Sequence, residues 1–124
     1  MLKDTFYKVV SSLEKDVSSF QWSIIINKEH EIFEGHFPGL PIVPGVCMMQ
    51  IIKELLQDKL RIKLNLKSAS NIKFLSLINP TETNQVDVDV EVKYTSSETG
   101  TYIADGIISV NAIPYFKIVR AVYN

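Results

Sequence analysis

The chain has 124 residues, 13 Lys+Arg against 14 Asp+Glu, 46% hydrophobic residues and one cysteine, a composition that predicts a single globular domain over residues 1–124, not a disordered tail or a repeat array. A net charge of -1 gives no overall attraction to nucleic acid or to an anionic membrane, and a lone thiol, Cys47, makes neither an internal disulfide nor a cysteine-rich zinc site. Charges sit where a secretory apolar core would lie in MLKDTFYKVV, and no window approaches the ~18 apolar residues of a membrane span, so the expected location is the cytoplasm with no membrane insertion.

The first elements are two β-rich stretches, 2–13 and 20–27, joined by a polar segment with Asp16, Ser18 and Ser19. Phe20, Trp22, Ile24 and Ile26 share one face of the second, which predicts a hairpin. The segment 34–45 that follows holds three of the five prolines and three of the five glycines and interrupts regular structure. From Pro44 the period changes. Val46, Met49, Ile52 (or Ile51), Leu55, Leu56 and Leu60 recur at helical steps, which predicts one long helix over 44–60 with Pro44 near its start. Gln50 is the one polar break between Val46 and Ile52, so these turns are expected to be covered on nearly all sides.

Four strands are expected after the helix. They are 70–77, a stretch 86–94 that alternates apolar and charged residues without exception, 102–110 and 113–123. Turns are expected at 80–84, at 96–100 and at Asn111-Ala112, and Gly106 predicts a bend or a close approach in mid-strand. The order is that of an α+β fold with one antiparallel sheet of about six strands, able to bury the apolar helix by curling round it.

The loop carries a pattern, Gly35-His36-Phe37-Pro38-Gly39-x-Pro41-Ile42-x-Pro44-Gly45-Val46, that resembles the signature of the hotdog-fold β-hydroxyacyl-acyl-carrier-protein dehydratases of fatty-acid synthesis. Every defined position matches. Lys73-Phe74, Asn79-Pro80 and the strand around Val86 to Val92 extend the resemblance over most of the chain beyond Gly35. It implies a hotdog fold, a curled sheet wrapped around the central helix, and no metal or redox cofactor, the substrate arriving on the phosphopantetheine of an acyl carrier protein. It also implies a homodimer or a higher oligomer of dimers, because in the family the histidine of one subunit meets the acid on the helix of the other.

Dehydration of a β-hydroxyacyl thioester needs a base for the α-proton, an acid for the leaving hydroxyl and a donor for the thioester oxygen. His36 suits the first role, with an imidazole that titrates near neutral pH. Gly45 suits the third, because a backbone N–H in a first helical turn has no partner within the helix and no side chain blocks approach. The chain departs from the family at the second role. Fourteen residues after the histidine, where the family has Asp or Glu, stands Gln50, and one turn further, where it commonly has Gln, stands Glu54. Being four apart on a helix they can hydrogen-bond, which leads to the expectation that Glu54 holds the proton while Gln50 positions the hydroxyl. The opposite expectation is an ordinary solvent-facing Glu54 beside Lys53.

Phe37, Pro38, Ile42, Val46 and Met49, with Met48, are expected to line an acyl channel, a use compatible with being core. Cys47 reads as core and His30 as an exposed loop residue. Five basic residues, Lys59, Arg61, Lys63, Lys67 and Lys73, occupy 59–81 without an acidic one and would dock an acidic carrier protein. Two competing functions remain open at this point: a catalytically impaired paralogue acting as an acyl-binding or assembly subunit, and a hotdog acyl thioesterase.

Overall fold

The computed structural model describes residues 1–35, 39 and 41–124. Strands β1 (Tyr7–Glu14) and β2 (Ser19–Ile26) are followed by a single helical turn, α1 (Ile32–Gly35), and the long helix α2 (Gly45–Leu60). Strands β3 (Leu66–Ser68), β4 (Asn71–Phe74), β5 (Gln85–Ser96), β6 (Thr101–Val110) and β7 (Ile113–Tyr123) complete the chain. All pair antiparallel in one sheet of order β1-β2-β5-β6-β7-β3, with β4 also on β7. This is the α+β hotdog arrangement, with seven strands where the periodicity gave about six. The difference lies at one edge: the expected strand 70–77 is reduced to β4, and an additional short strand ahead of it, β3, pairs with the far end of β7. Between them the Ser70 N–H still reaches the Val119 carbonyl at 3.0 Å.

Hydrophobic periodicity accounts for the core. Phe20, Trp22, Ile24 and Ile26 of β2 are buried, as are Val86, Val88 and Val90 of β5. Against them α2 lays Cys47, Met48, Ile51, Ile52, Leu55 and Leu56, each large side chain contributing roughly 1.5–3 kcal/mol by leaving water. The alternation of β5 does not run unbroken to Tyr94. The register shifts between Val92 and Tyr94, and the bulge turns Tyr94 outward to 53% exposure.

Gly106 is a close approach. A Cβ there would sit 2.9 Å from Ile52 Cδ1 and 3.1 Å from Ile118 Cγ2, so its bare backbone lets α2 settle onto β6. Asn111 and Ala112 both have positive φ, 50° and 66°, the backbone of a two-residue hairpin turn whose twist matches its strands. Two expectations need correction. The first strand begins at Tyr7, not at residue 2, because residues 2–6 fold into a turn in which Phe6 N–H bonds to the Leu2 carbonyl at 2.7 Å. Nor is the first turn of α2 covered all round: Val46 is 70% exposed. Among the described residues no helix is long and apolar enough to cross a membrane.

Candidate functional site

The helix start is built by proline. Pro44 caps α2 with extended backbone (φ -62°, ψ 144°) and no side-chain cap bond. Its carbonyl takes the first helical hydrogen bonds, from Cys47 N–H at 3.0 Å and Met48 N–H at 3.3 Å. Among the described residues no backbone carbonyl accepts from the Gly45 N–H, which lies at the positive end of the helix dipole. The approach is anchored upstream, where Val43 N–H bonds to the Ile78 carbonyl at 2.9 Å. In front of Gly45 stands Phe74, a residue with no role in the sequence expectations beyond the family pattern. A Cβ at position 45 would lie 2.8 Å from its Cζ, and the ring, 58% exposed, packs on Phe116 with centroids 5.2 Å apart.

One and two turns along α2 lie Gln50 and Glu54. They do hydrogen-bond: Gln50 Nε2 donates to Glu54 Oε2 at 2.7 Å. Glu54 is not a solvent-facing helix charge, because its exposure is 0%. Its carboxylate accepts from the Leu2 N–H at 3.1 Å (Oε1) and 2.9 Å (Oε2), from the Lys3 N–H at 2.9 Å and from the Tyr7 hydroxyl at 3.2 Å. Each of these partners is a donor, so the group is held as an acceptor. Burial, and after it the Glu54 charge, pushes the Tyr7 hydroxyl well above the ordinary phenol range and keeps it a donor. One turn on, Lys3 Nζ meets Asp58 Oδ2 at 2.7 Å.

Leu2, Lys3 and Tyr7 have no counterpart in the sequence expectations. The signal that points to them is Glu54 itself, a carboxylate between Ile51, Ile52 and Leu55 on the buried side of the helix. Such a charge demands several hydrogen bonds from somewhere.

The remaining site residues divide. His36, Phe37 and Pro38 lie outside the described residues. Ile42 is buried, Met49 half-buried and Val46 exposed. Cys47 is in the core, its thiol pushed above the usual value first by burial and then by Glu54, the opposite of what activates a nucleophile. His30 is half-buried, not exposed. Its Nδ1 accepts from Ile32 N–H at 3.0 Å at the start of α1, and its ring meets Phe6 edge-on with centroids 5.3 Å apart.

Two residues of the basic stretch differ in what they meet. Lys59 is paired with Glu14 at 3.0 Å and lies over the Phe20 ring. Lys73, next to Phe74, faces Lys117 across the β4–β7 pair. Among the described residues no cluster of three His, Cys, Asp or Glu side chains is arranged to hold a metal.

The model of the ApeI-like family, described as ApeI dehydratase, matches residues 12–106. The 3-hydroxyacyl-acyl-carrier-protein dehydratase FabZ of Fusobacterium nucleatum is 28% identical over 108 residues, covering 81% of this chain and 77% of the relative. That of Clostridium acetobutylicum is 32% identical over 88 residues, covering 65% and 60%. Among solved structures, the dehydratase heterocomplex ApeI:P from Xenorhabdus doucetiae superposes with a TM-score of 0.75 at 14% identity over 94% of this chain and 97% of that one. A mutant thioesterase from Pseudomonas aeruginosa gives 0.61 at 11% identity over 90% and 77%. At such identities the structural likenesses speak for the fold alone.

Proposed function

Because the chain belongs to the ApeI-like dehydratase family, we propose that it removes water from a β-hydroxyacyl group carried as a thioester on an acyl carrier protein, giving the trans-2-enoyl thioester, in fatty-acid or polyene-type lipid synthesis. The observation that carries this reading is the family match over residues 12–106, which takes in the whole motif. His36 removes the α-proton, and the Gly45 N–H bonds to the thioester oxygen as negative charge gathers there. Neither group on the helix is suited to supply the second proton. A Gln50 amide has none to give, and Glu54 is enclosed by donors. The His36 imidazolium therefore returns the proton it took, the C–O bond breaks, and hydroxide departs as water. The Gln50 amide gives one of its two N–H groups to Glu54, which leaves its carbonyl oxygen to accept from the substrate hydroxyl and one N–H to donate. No metal or redox group enters this sequence.

The functional unit is at least a homodimer in this reading. The apolar residues Val46, Phe74 and Leu77 are 70%, 58% and 70% exposed, and a partner subunit laid over them would take that surface out of water. Lys73 and Lys117, like charges directly opposite each other, suit a strongly anionic carrier protein. The test is turnover of β-hydroxyacyl and enoyl carrier-protein substrates by the wild type and by His36→Ala. Dehydration or hydration that falls at least about a hundredfold in the variant is expected; release of free acid would move the assignment to a thioesterase.

A second reading, a non-catalytic subunit that binds the acyl group or assembles with an active partner, is favoured by Gln50 at the position of the family acid. The related ApeI structure is a heterocomplex. Tight acyl-carrier-protein binding without turnover, alone and as a purified homodimer, would select it.

A further inference from the structure

Among the described residues Glu54 is the one charged side chain that is fully buried, and it joins two parts of the molecule far apart in sequence. Its Oε1 is held by the Lys3 and Leu2 amides and the Tyr7 hydroxyl, and its Oε2 by the Leu2 amide and by Gln50 Nε2. Successive backbone N–H groups converging on one carboxylate form an anion cup. This cup is secured to the next turn of the helix by Lys3 and Asp58 at 2.7 Å, and to the sheet by Tyr7, the first residue of β1.

We propose that the turn before β1 is a positioning device for the reaction: Leu2, Lys3 and Tyr7 immobilise Glu54, and Glu54 orients the Gln50 amide that faces the substrate hydroxyl. This rests on the dehydratase reading and assigns Glu54 a positioning role, not that of the acid. The physical reason is geometric. An amide is planar, so a short bond at Nε2 sets the direction of Oε1. A carboxylate that is itself free to rotate could not set that direction, whereas one with three further donors cannot turn without breaking several charge-assisted bonds at once. Burying a lone carboxylate in the core costs stability unless it is fully bonded, and a pure packing role at this position would be served by leucine. Half-buried Gln50 is the one contact of Glu54 that belongs to the candidate site.

Two measurements test this with the full chain. In the first, solvent exchange of the Gln50 side-chain amide protons is followed by NMR in the wild type, Tyr7→Phe and Glu54→Gln. The expectation is slow exchange in the wild type and at least tenfold faster exchange in both variants; equal rates overturn the proposal. In the second, kcat and KM of dehydration are measured for the wild type, Tyr7→Phe, Gln50→Ala and the double variant, well below each melting temperature.

Tyr7→Phe keeps the ring and removes one donor, so a fold lost in Glu54→Gln does not stop the experiment. It should lower kcat about five- to tenfold with KM unchanged, and should lower it no further when Gln50 is already alanine. A merely structural tyrosine would leave kcat alone or lower it equally in both backgrounds, and either result overturns the positioning role while the dehydratase reading stands. Wild-type protein that turns over no β-hydroxyacyl or enoyl substrate overturns that reading, and the inference with it.

Discussion

The first turn of α2 and the turn around Glu54 lie on one helix and handle polar groups in opposite ways. At Gly45 the backbone donor has no carbonyl partner among the described residues, the flanking Val46 is exposed and no side chain caps the end. At Glu54 an acceptor is fully buried and has four donor groups around it. In the proposed reaction the contrast separates chemistry from support: the Gly45 donor serves the substrate, while the saturated acceptor holds a neighbour still. Chemical intuition picks the carboxylate as the actor; in the proposed reaction it holds the groups that act.

The comparison is broken most severely by disturbing the buried side of the helix. Gly106→Val pushes methyl groups into Ile52 and Ile118, whose atoms lie 2.9 and 3.1 Å from a Cβ there. A loss of about 3 kcal/mol is expected, read as a fall in Tm on the order of 10 °C. Ile52→Ala in the same chain should recover part of it; an unchanged Tm would mean that α2 does not pack on β6 as described.

At the other end the expected effect is on rate. Gly45→Ala drives a methyl against the Phe74 ring and displaces the donor. kcat/KM should drop on the order of a hundredfold, with Phe74→Ala in the same chain restoring activity in part. A variant as active as the wild type would remove Gly45 from the site.

Alkaline titration sharpens the supported half. Burial raises Tyr123 to about 12, and burial with the Glu54 charge raises Tyr7 further. A hydroxyl whose folded value lies above its unfolded one adds stability below the unfolded value near 10, and that stability is lost as pH rises through the window above it. Each tyrosine should steepen the fall of unfolding free energy above pH ~10 by up to about 1.4 kcal/mol per pH unit, and denaturant melts of Tyr7→Phe should show one such contribution fewer. Identical slopes would place Tyr7 outside the buried network.

The smallest effect concerns the exposed turn. α2 has no acidic residue in its first turn; Val46→Asp gains about 0.5 kcal/mol from the helix dipole, offset in the proposed homodimer by the charge placed on its apolar seam, and should lower dehydration because its carboxylate competes for the amides that the thioester needs in the proposed reaction. Unchanged activity would contradict the proposed role of the donors at this end.

The amino-acid order by itself determined the local elements and the choice of family. Period-2 alternation in β2 and β5, helical spacing from Pro44 and the Asn111-Ala112 turn are consequences of neighbours in the chain, and the proline-glycine loop carries its motif in twelve consecutive positions. The bond between Gln50 and Glu54 was legible for the same reason, since residues four apart on a helix must meet.

What surrounds that pair was decided only in three dimensions. The Leu2 and Lys3 amides and the Tyr7 hydroxyl reach Glu54 across 47 to 52 residues of chain. Backbone donors bear no side-chain signature, so nothing in the letters L and K announces them. The additional edge strand β3, the shortening of 70–77 to β4, and the placing of Phe74 over Gly45 have the same origin: all depend on where β7 runs, and a strand's pairing partner is set by the packing of the whole sheet, not by its own residues.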